Sequence, residues 1–222
     1  MKALALQPAR WAAVLKREWL LYHLGDPRFR FMWDPAPENE WVALDCETTG
    51  LNVKLDDIIS IGAVRIRGNR IMTSERLELL VRPDKQRLTA ESVRVHRLRE
   101  QDVALGISTD EAMVKLMHFI GSRPLVGYYL EFDIAMIRRV LFPILGMGLP
   151  QPRIEVSSLY YDYKFRQQPQ QAQGSGVIDL RFDSLMQDLG LPVWPAHDAV
   201  NDAVMAALAF LKLKQLFPCI RF

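Results

Sequence analysis

A glycine-asparagine pair between two long strand-like runs is the feature that most restricts the fold. The runs are Ile58–Arg67 and residues 71–81, and both residues of Gly68-Asn69 tolerate the positive φ of a tight hairpin turn. A third apolar run, residues 42–47, precedes the hairpin and has the length and composition of a central strand. The sequence therefore predicts a sheet whose first three strands follow directly on one another.

The rest of the domain alternates strand-like and helical segments. Residues 125–126 and 154–159 are predicted as short strands. Residues 132–141, 181–189 and 198–216 are predicted as helices, the first ending near Pro143 and the second capped by Gly190. A hairpin followed by this alternation predicts an α/β fold with a mixed central β-sheet of about five strands flanked by helices.

The first 40 residues have a different pattern. Apolar side chains recur at helical spacing over residues 8–24, and a proline-rich linker follows at 34–39. We therefore divide the chain into an N-terminal helical extension and linker (1–40), a domain (41–217) and a short C-terminal tail (218–222). We expect the extension's helix to pack on the domain, the alternative being a helix that docks on a partner. Residues 167–176, rich in glutamine, are expected to form a flexible loop.

Composition excludes several classes of protein. Half of the 222 residues are hydrophobic, which predicts a folded core. Two cysteines cannot form a disulfide framework, and no apolar run is long enough to cross a bilayer, so we expect a cytoplasmic protein. The net charge of +2 gives little support for a nucleic-acid partner, although arginines are in excess between residues 82 and 99, as a basic patch or as a solvated helix face.

The predicted first strand ends in the acidic motif Asp45-Cys46-Glu47-Thr48-Thr49-Gly50. Side chains alternate along a strand, so Asp45 and Glu47 face one side and Cys46 faces the core on the other. Two adjacent carboxylates on a core strand repel each other and lose hydration, and a divalent cation would remove that cost. The threonine hydroxyls and nearby amides are candidates to hold a phosphate or sugar, and Leu51 could wedge against a base.

Three further residues complete a candidate site. Asp133 lies in the first turn of a predicted helix, where the simpler interpretation is an acid that complements the helix dipole. His197 and Asp202 would lie about 140° apart within one helix, so we place His197 in a loop and Asp202 on the helix, with Asp198 as the N-cap. Four carboxylates and one imidazole are what a phosphodiester-cleaving site with two Mg²⁺ or Mn²⁺ ions needs.

At these residues the sequence resembles the DnaQ-like DEDDh 3′→5′ exonucleases, the superfamily of the proofreading epsilon subunit of bacterial DNA polymerase III. Its three motifs match Asp45-Cys-Glu-Thr-Thr-Gly, then Val126-Gly-Tyr-Tyr-Leu-Glu-Phe-Asp133, then His197 with Asp202. The chain departs from the family at Tyr128-Tyr129, where the family has His-Asn, and at Ser157-Ser158, where it has Asp-Thr. It departs again at Arg97, where the family has glycine.

The resemblance implies a ribonuclease H-like fold and two-metal hydrolysis at the 3′ ends of single-stranded DNA. Asp45, Glu47 and Asp202 would hold one ion, Asp45 and Asp133 the second, and His197 would act as general base. Thr48, Thr49, Leu51 and Phe132 are our candidates for binding the terminal nucleotide, although Phe132 could equally belong to the core. A polymerase is a possible partner. The alternatives are an exonuclease that trims RNA or degrades oligonucleotides, a non-catalytic nucleic-acid-binding or scaffolding module and, more remotely, a metal-dependent phosphatase.

Overall fold

The computed structural model describes residues 7–84, 88, 90–168, 177–195 and 197–217. Its centre is a mixed five-stranded sheet in the order β3-β2-β1-β4-β5. The strands are β1 (Glu40–Thr48), β2 (Ile58–Arg67), β3 (Arg70–Leu80), β4 (Leu125–Gly127) and β5 (Arg153–Glu155). Strands β1, β2 and β3 pair antiparallel, whereas β4 pairs parallel to both β1 and β5. The predicted α/β class, mixed sheet and Gly68 turn, where φ is +60°, are all confirmed.

Helices surround this sheet. They are α1 (Gln7–Tyr22), α2 (Ala90–His96), α3 (Glu100–Ala104), α4 (Thr109–Ile120), α5 (Leu130–Leu145), α6 (Val156–Gln167), α7 (Phe182–Asp188) and α8 (Ala199–Leu216). A 3-10 helix, Pro27–Trp33, follows α1. The predicted N-cap is confirmed, because the Asp198 carboxylate accepts the backbone N–H of Asn201 at the start of α8.

Alternating residues of β1 divide the interior into two cores. Val42, Leu44 and Cys46 pack on one side with α4, α5 and the 3-10 helix, whereas Trp41 and Ala43 pack on the other with α6, α7 and α8. Cys46 is therefore a buried core thiol, as its strand position predicted. Asp45 and Glu47 continue the side of the strand that α8 covers.

One predicted strand is wrong. Residues 154–159 are not one strand, because β5 ends at Glu155 and α6 begins at Val156. Glu155 ends the strand by capping α6, with its carboxylate accepting the Ser157 N–H at 3.0 Å. Helix α5 ends at Leu145, near Pro143 as predicted, and Pro143 lies in its last turn.

The N-terminal region contributes to the core of the domain. Phe29, Met32 and Trp33 of the 3-10 helix are buried against α4 and α5, and Phe31 stacks on His118 with ring centroids 4.9 Å apart. Helix α1 packs on this core through Leu20 and Leu21, as the sequence predicted, although its apolar stripe faces away from the domain. The division at residue 40 stays a prediction, and most of the glutamine-rich segment lies outside the described residues.

Candidate active site

The end of β1 brings the two motif carboxylates beside the N-terminus of α8. Asp45 is paired with Gly62 and Glu47 with Ser60 across the β1–β2 ladder, and the register shifts between Glu47 and Thr48. A side chain at position 62 could not fit, because a Cβ there would lie 2.1 Å from the Ala199 carbonyl carbon. Gly62 therefore lets the start of α8 approach the sheet next to Asp45.

His197 and Asp202 occupy the loop and the helix as predicted. His197 is exposed, with φ of +69°, and its backbone N–H donates to Asp202 Oδ2 at 3.0 Å. A non-glycine residue in this left-handed region is strained, and such strain often occurs at functional sites. The hydrogen bond to Asp202 holds the loop in that conformation.

Asp133 reaches the same strand end from α5. It is almost fully buried, and its Oδ1 accepts the backbone N–H of Cys46 at 3.0 Å. Because Cys46 lies between Asp45 and Glu47, this bond fixes Asp133 against the acidic motif. All four predicted carboxylates and His197 are thus brought to one end of the sheet.

Electrostatics at this end favour the protonated forms of the carboxyl groups. Burial, followed by the charges of Asp133 and Asp202, raises the pKa of Asp45 well above its usual range. Burial and then Asp202 raise the pKa of Glu47 to about 7. Burial raises the pKa of Asp133 to about 8 against the opposing effect of the Cys46 N–H, and burial also raises that of Asp202.

The donor set suits a hard divalent cation. One ligand atom from each of Glu47, His197 and Asp202 lies within 4.8 Å of the others. Asp202 Oδ1 is buried and accepts no hydrogen bond from the described residues. A cation would satisfy that oxygen and remove the repulsion among the carboxylates, so these residues fit the metal that the sequence predicted.

A groove of about 390 Å³ opens beside the cluster. Its described walls come from β1, β2, β3, the segment after α2 and the start of α8, and include Glu47, Glu78, His96, Arg97 and His197. His96 is buried, its Nδ1 accepts the Leu98 N–H at 3.1 Å, and burial and then the His197 charge lower its pKa.

The four candidate nucleotide-binding residues have different surroundings. Leu51 is 86% exposed, whereas Phe132 is half-buried and packs against the core. The Thr48 hydroxyl donates to the Gly50 carbonyl oxygen at 2.7 Å. The Thr49 hydroxyl donates to Asp56 and accepts the Asp57 N–H, so both hydroxyls already stabilise the turn. Their roles in binding nucleotide stay predictions.

The departures at Tyr128 and Tyr129 have structural explanations. Tyr128 stacks on Phe182 with centroids 4.3 Å apart, and its hydroxyl donates to the Leu180 carbonyl oxygen. Tyr129 precedes α5 in the left-handed conformation, and its N–H donates to Glu155. Glu155 also accepts the Leu130 N–H, so one carboxylate caps both α5 and α6. The sequence analysis missed Glu155, and the Gln-Pro-Arg-Ile segment before it gives no motif that marks it.

Comparison with known proteins identifies the family. The RNase_T family model, described as Exonuclease, matches residues 42–210. The chain belongs to the exonuclease family. The match spans all five strands and every residue of the acidic cluster.

Several relatives of this exonuclease-family chain are named as DNA polymerase III proteins. It is 26% identical over 179 residues to DNA polymerase III PolC-type from Thermotoga maritima, covering 79% of this chain and 12% of the relative. It is 23% identical over 188 residues to DNA polymerase III subunit epsilon from Aquifex aeolicus, covering 84% of this chain and 86% of the relative. The chain thus spans about an eighth of the PolC-type relatives but most of the Aquifex subunit.

Solved structures share the fold. E. coli exonuclease I in complex with a dA16 oligonucleotide has a TM-score of 0.69 at 16% identity, over 82% of this chain and 42% of that chain. The cell-death related nuclease CRN-4 has a TM-score of 0.65 at 14% identity, over 82% and 65% respectively. The ribonuclease H-like arrangement predicted from the motifs is confirmed by this likeness.

Proposed function

We propose that this protein is a divalent-metal-dependent 3′→5′ exonuclease that releases nucleoside 5′-monophosphates from DNA 3′ ends. The observation that carries the proposal is the convergence of Glu47, His197 and Asp202 beside the buried Asp45 and an open groove, with one buried Asp202 oxygen that accepts no hydrogen bond from the described residues. A structural role alone does not account for this cluster, because it destabilises the metal-free fold.

Asp45, Glu47 and Asp202 would hold one metal ion, and Asp45 with Asp133 a second. When bound, Mg²⁺ or Mn²⁺ supplies Lewis-acid stabilisation of the negative charge that develops on the phosphate oxygens. The hydrogen bond from the Cys46 N–H orients Asp133 toward the strand end before any ion binds.

His197 is proposed as the general base. A ring nitrogen of His197 takes a proton from the attacking water, whose oxygen forms a new bond to phosphorus. The bond between phosphorus and the 3′ oxygen of the preceding nucleotide breaks, and that oxygen takes a proton from solvent. The products are a nucleoside 5′-monophosphate and a shortened strand with a 3′ hydroxyl. Asp202 positions the base through the 3.0 Å bond from the His197 backbone N–H.

Single-stranded 3′ ends are the proposed substrate. A duplex end must fray before its terminal phosphodiester can enter a site below the groove surface. Leu51 is exposed enough to stack against the terminal base, and Phe132 lies one residue before Asp133. The relatives named as DNA polymerase III PolC-type and DNA polymerase III subunit epsilon support a role in proofreading or repair, with a polymerase as the proposed partner.

The test is degradation of matched 5′-labelled single-stranded DNA and RNA with Mg²⁺ or Mn²⁺. We expect a ladder that shortens from the 3′ end, is lost with EDTA and is absent in Asp45→Ala. A higher rate on RNA would replace the DNA assignment with an RNA-trimming one. A folded protein that degrades neither strand would contradict the nuclease proposal and favour a non-catalytic binding module.

A further inference from the structure

Helix α1 presents an apolar ridge to solvent. Trp11, Leu15 and Trp19 are 67%, 68% and 61% exposed, and Tyr22 on the next turn is 86% exposed. We call these four residues the α1 ridge. Contiguous exposed apolar patches of this size on a soluble protein commonly mark an interaction surface.

The opposite side of α1 fixes the outward direction of the ridge. Arg17 Nε donates to the Trp33 carbonyl oxygen at 2.9 Å, and Arg17 Nη2 donates to Asp34 at 2.8 Å. Leu20 and Leu21 pack against the core beside these contacts. The helix is therefore attached through an arginine and two leucines, and none of the described residues covers its more aromatic side.

We propose that the α1 ridge is the contact surface of a homodimer, in which α1 of one copy packs on α1 of a second copy about a two-fold axis. Trp11, Leu15 and Trp19 form an i±4 row, the type of ridge that packs into the matching groove of another helix. The row is also symmetric about Leu15. A two-fold contact requires this self-complementarity: Trp11 meets Trp19 of the second copy, Trp19 meets its Trp11, and Leu15 lies near the axis.

The exposed area is sufficient for such a contact. A fully buried aromatic side chain covers about 150–250 Å². With the exposed fractions of the ridge and of its neighbour Val14, the solvent-accessible apolar area is roughly 600 Å² on each copy. Covering it on two copies would bury roughly 1,200 Å², the lower end of the range for specific interfaces. We therefore expect a reversible dimer with a dissociation constant on the order of micromolar.

The experiment is sedimentation velocity of the full chain between roughly 1 and 100 µM. We expect the mass to rise with concentration from 25.5 kDa to twice that value. Leu15→Lys places two charges at the axis and should leave a monomer at all concentrations. Leu105→Lys is the matched control, because Leu105 is 89% exposed elsewhere on the domain, and it should dimerise as the wild type does. Far-UV circular dichroism of each variant checks the fold.

A cross-link tests the symmetry directly. Cys46 is buried, so its thiol does not interfere. In a Cys219→Ser background, Leu15→Cys therefore introduces a new accessible thiol. Mild oxidation should link two copies through residue 15 but should not link Leu105→Cys. Any of three results would overturn the proposal. The wild type could stay monomeric at 100 µM, the Leu15→Lys variant could still dimerise, or the protein could bind anionic vesicles as a monomer instead. None of these measurements depends on nuclease activity, so their failure is distinct from failure of the proposed function.

Discussion

Carboxylates lie at both ends of strands β1 and β2, but they are ion-paired at one end and clustered together at the other. At the start of β1, Glu40 pairs with Arg123 at 2.7 Å. On β2 and β3 beside it, Glu75 pairs with Arg65 at 3.0 Å and Arg67 at 2.7 Å. Each carboxylate at this end therefore has a guanidinium partner supplied by the chain.

At the other end, Asp45, Glu47, Asp133 and Asp202 converge, and no lysine or arginine of the described residues forms an ion pair with them. Burial is the largest cause that raises the pKa values of all four. The same two strands thus hold one set of charges that the fold neutralises and another that it leaves for an external cation.

The largest expected effect comes from removing a charge at the unpaired end. Asp45→Asn should lower exonuclease activity roughly a thousandfold or more, because it removes the carboxylate proposed to contact both ions. The same variant should unfold at a higher temperature than wild type in EDTA, since it relieves like-charge repulsion. Steady-state kinetics and thermal unfolding measure the two effects.

Glu75→Gln is the matched control at the paired end. It should leave activity unchanged and lower stability by about 1 kcal/mol, because Arg65 loses its ion-pair partner and Arg67 keeps only Glu40. If both variants moved stability in the same direction, the contrast between the two ends would be wrong.

His197→Ala tests whether His197 acts as the general base, a role distinct from that of the carboxylates proposed to bind metal. We expect the single-turnover rate to fall roughly 10²- to 10⁴-fold, the usual contribution of a general base. Binding of Mn²⁺ and of oligonucleotide, followed by calorimetry and fluorescence anisotropy, should change little. A wild-type rate in this variant would show that another group is the base.

The raised pKa values predict an unusual dependence of stability on pH without metal. A carboxyl whose folded pKa exceeds its unfolded value stabilises the fold below the unfolded pKa, and this contribution is lost as pH rises through the folded pKa. For Glu47 that window runs from 4.5 to about 7, a contribution on the order of 3 kcal/mol. For Asp133 the window extends to about 8.

In EDTA the unfolding temperature should therefore fall between pH 5 and pH 8.5, and Mn²⁺ should restore it most at the upper end of that range. Asp45→Asn should flatten the profile, which differential scanning calorimetry can follow. A wild-type unfolding temperature that rises across this range in EDTA would contradict the assigned shifts.

The smallest effect concerns Arg97, the one described arginine or lysine that lines the groove at the acidic end. It has φ of +59°, a conformation that asparagine tolerates better than arginine. Arg97→Asn should keep or slightly raise stability and increase the KM for oligonucleotide about threefold, because a phosphate-facing cation is lost. Arg97→Lys keeps the charge and should keep the KM. An equal increase in both variants would assign the effect to the backbone instead.

The sequence was sufficient to predict the class of fold and the members of the acidic cluster. Alternation along a strand placed Asp45 and Glu47 on one side and Cys46 on the other, and helical geometry placed His197 before the helix that carries Asp202. These are local rules of backbone geometry, so they hold whatever packs around the segment. The strand assigned to 154–159 failed because a capping carboxylate, Glu155, started a helix that apolar periodicity does not reveal.

What the sequence determined by itself was therefore the α/β class with its hairpin and mixed sheet, and the carboxylates and histidine proposed for the site. The tertiary structure alone decided how these residues meet: Gly62 admits the start of α8, the Cys46 N–H holds Asp133, and the Thr48 and Thr49 hydroxyls stabilise the turn. It also decided that the aromatic side of α1 faces solvent. Local periodicity reports which side of an element is apolar, but the surface that covers that side depends on contacts between residues distant in the chain.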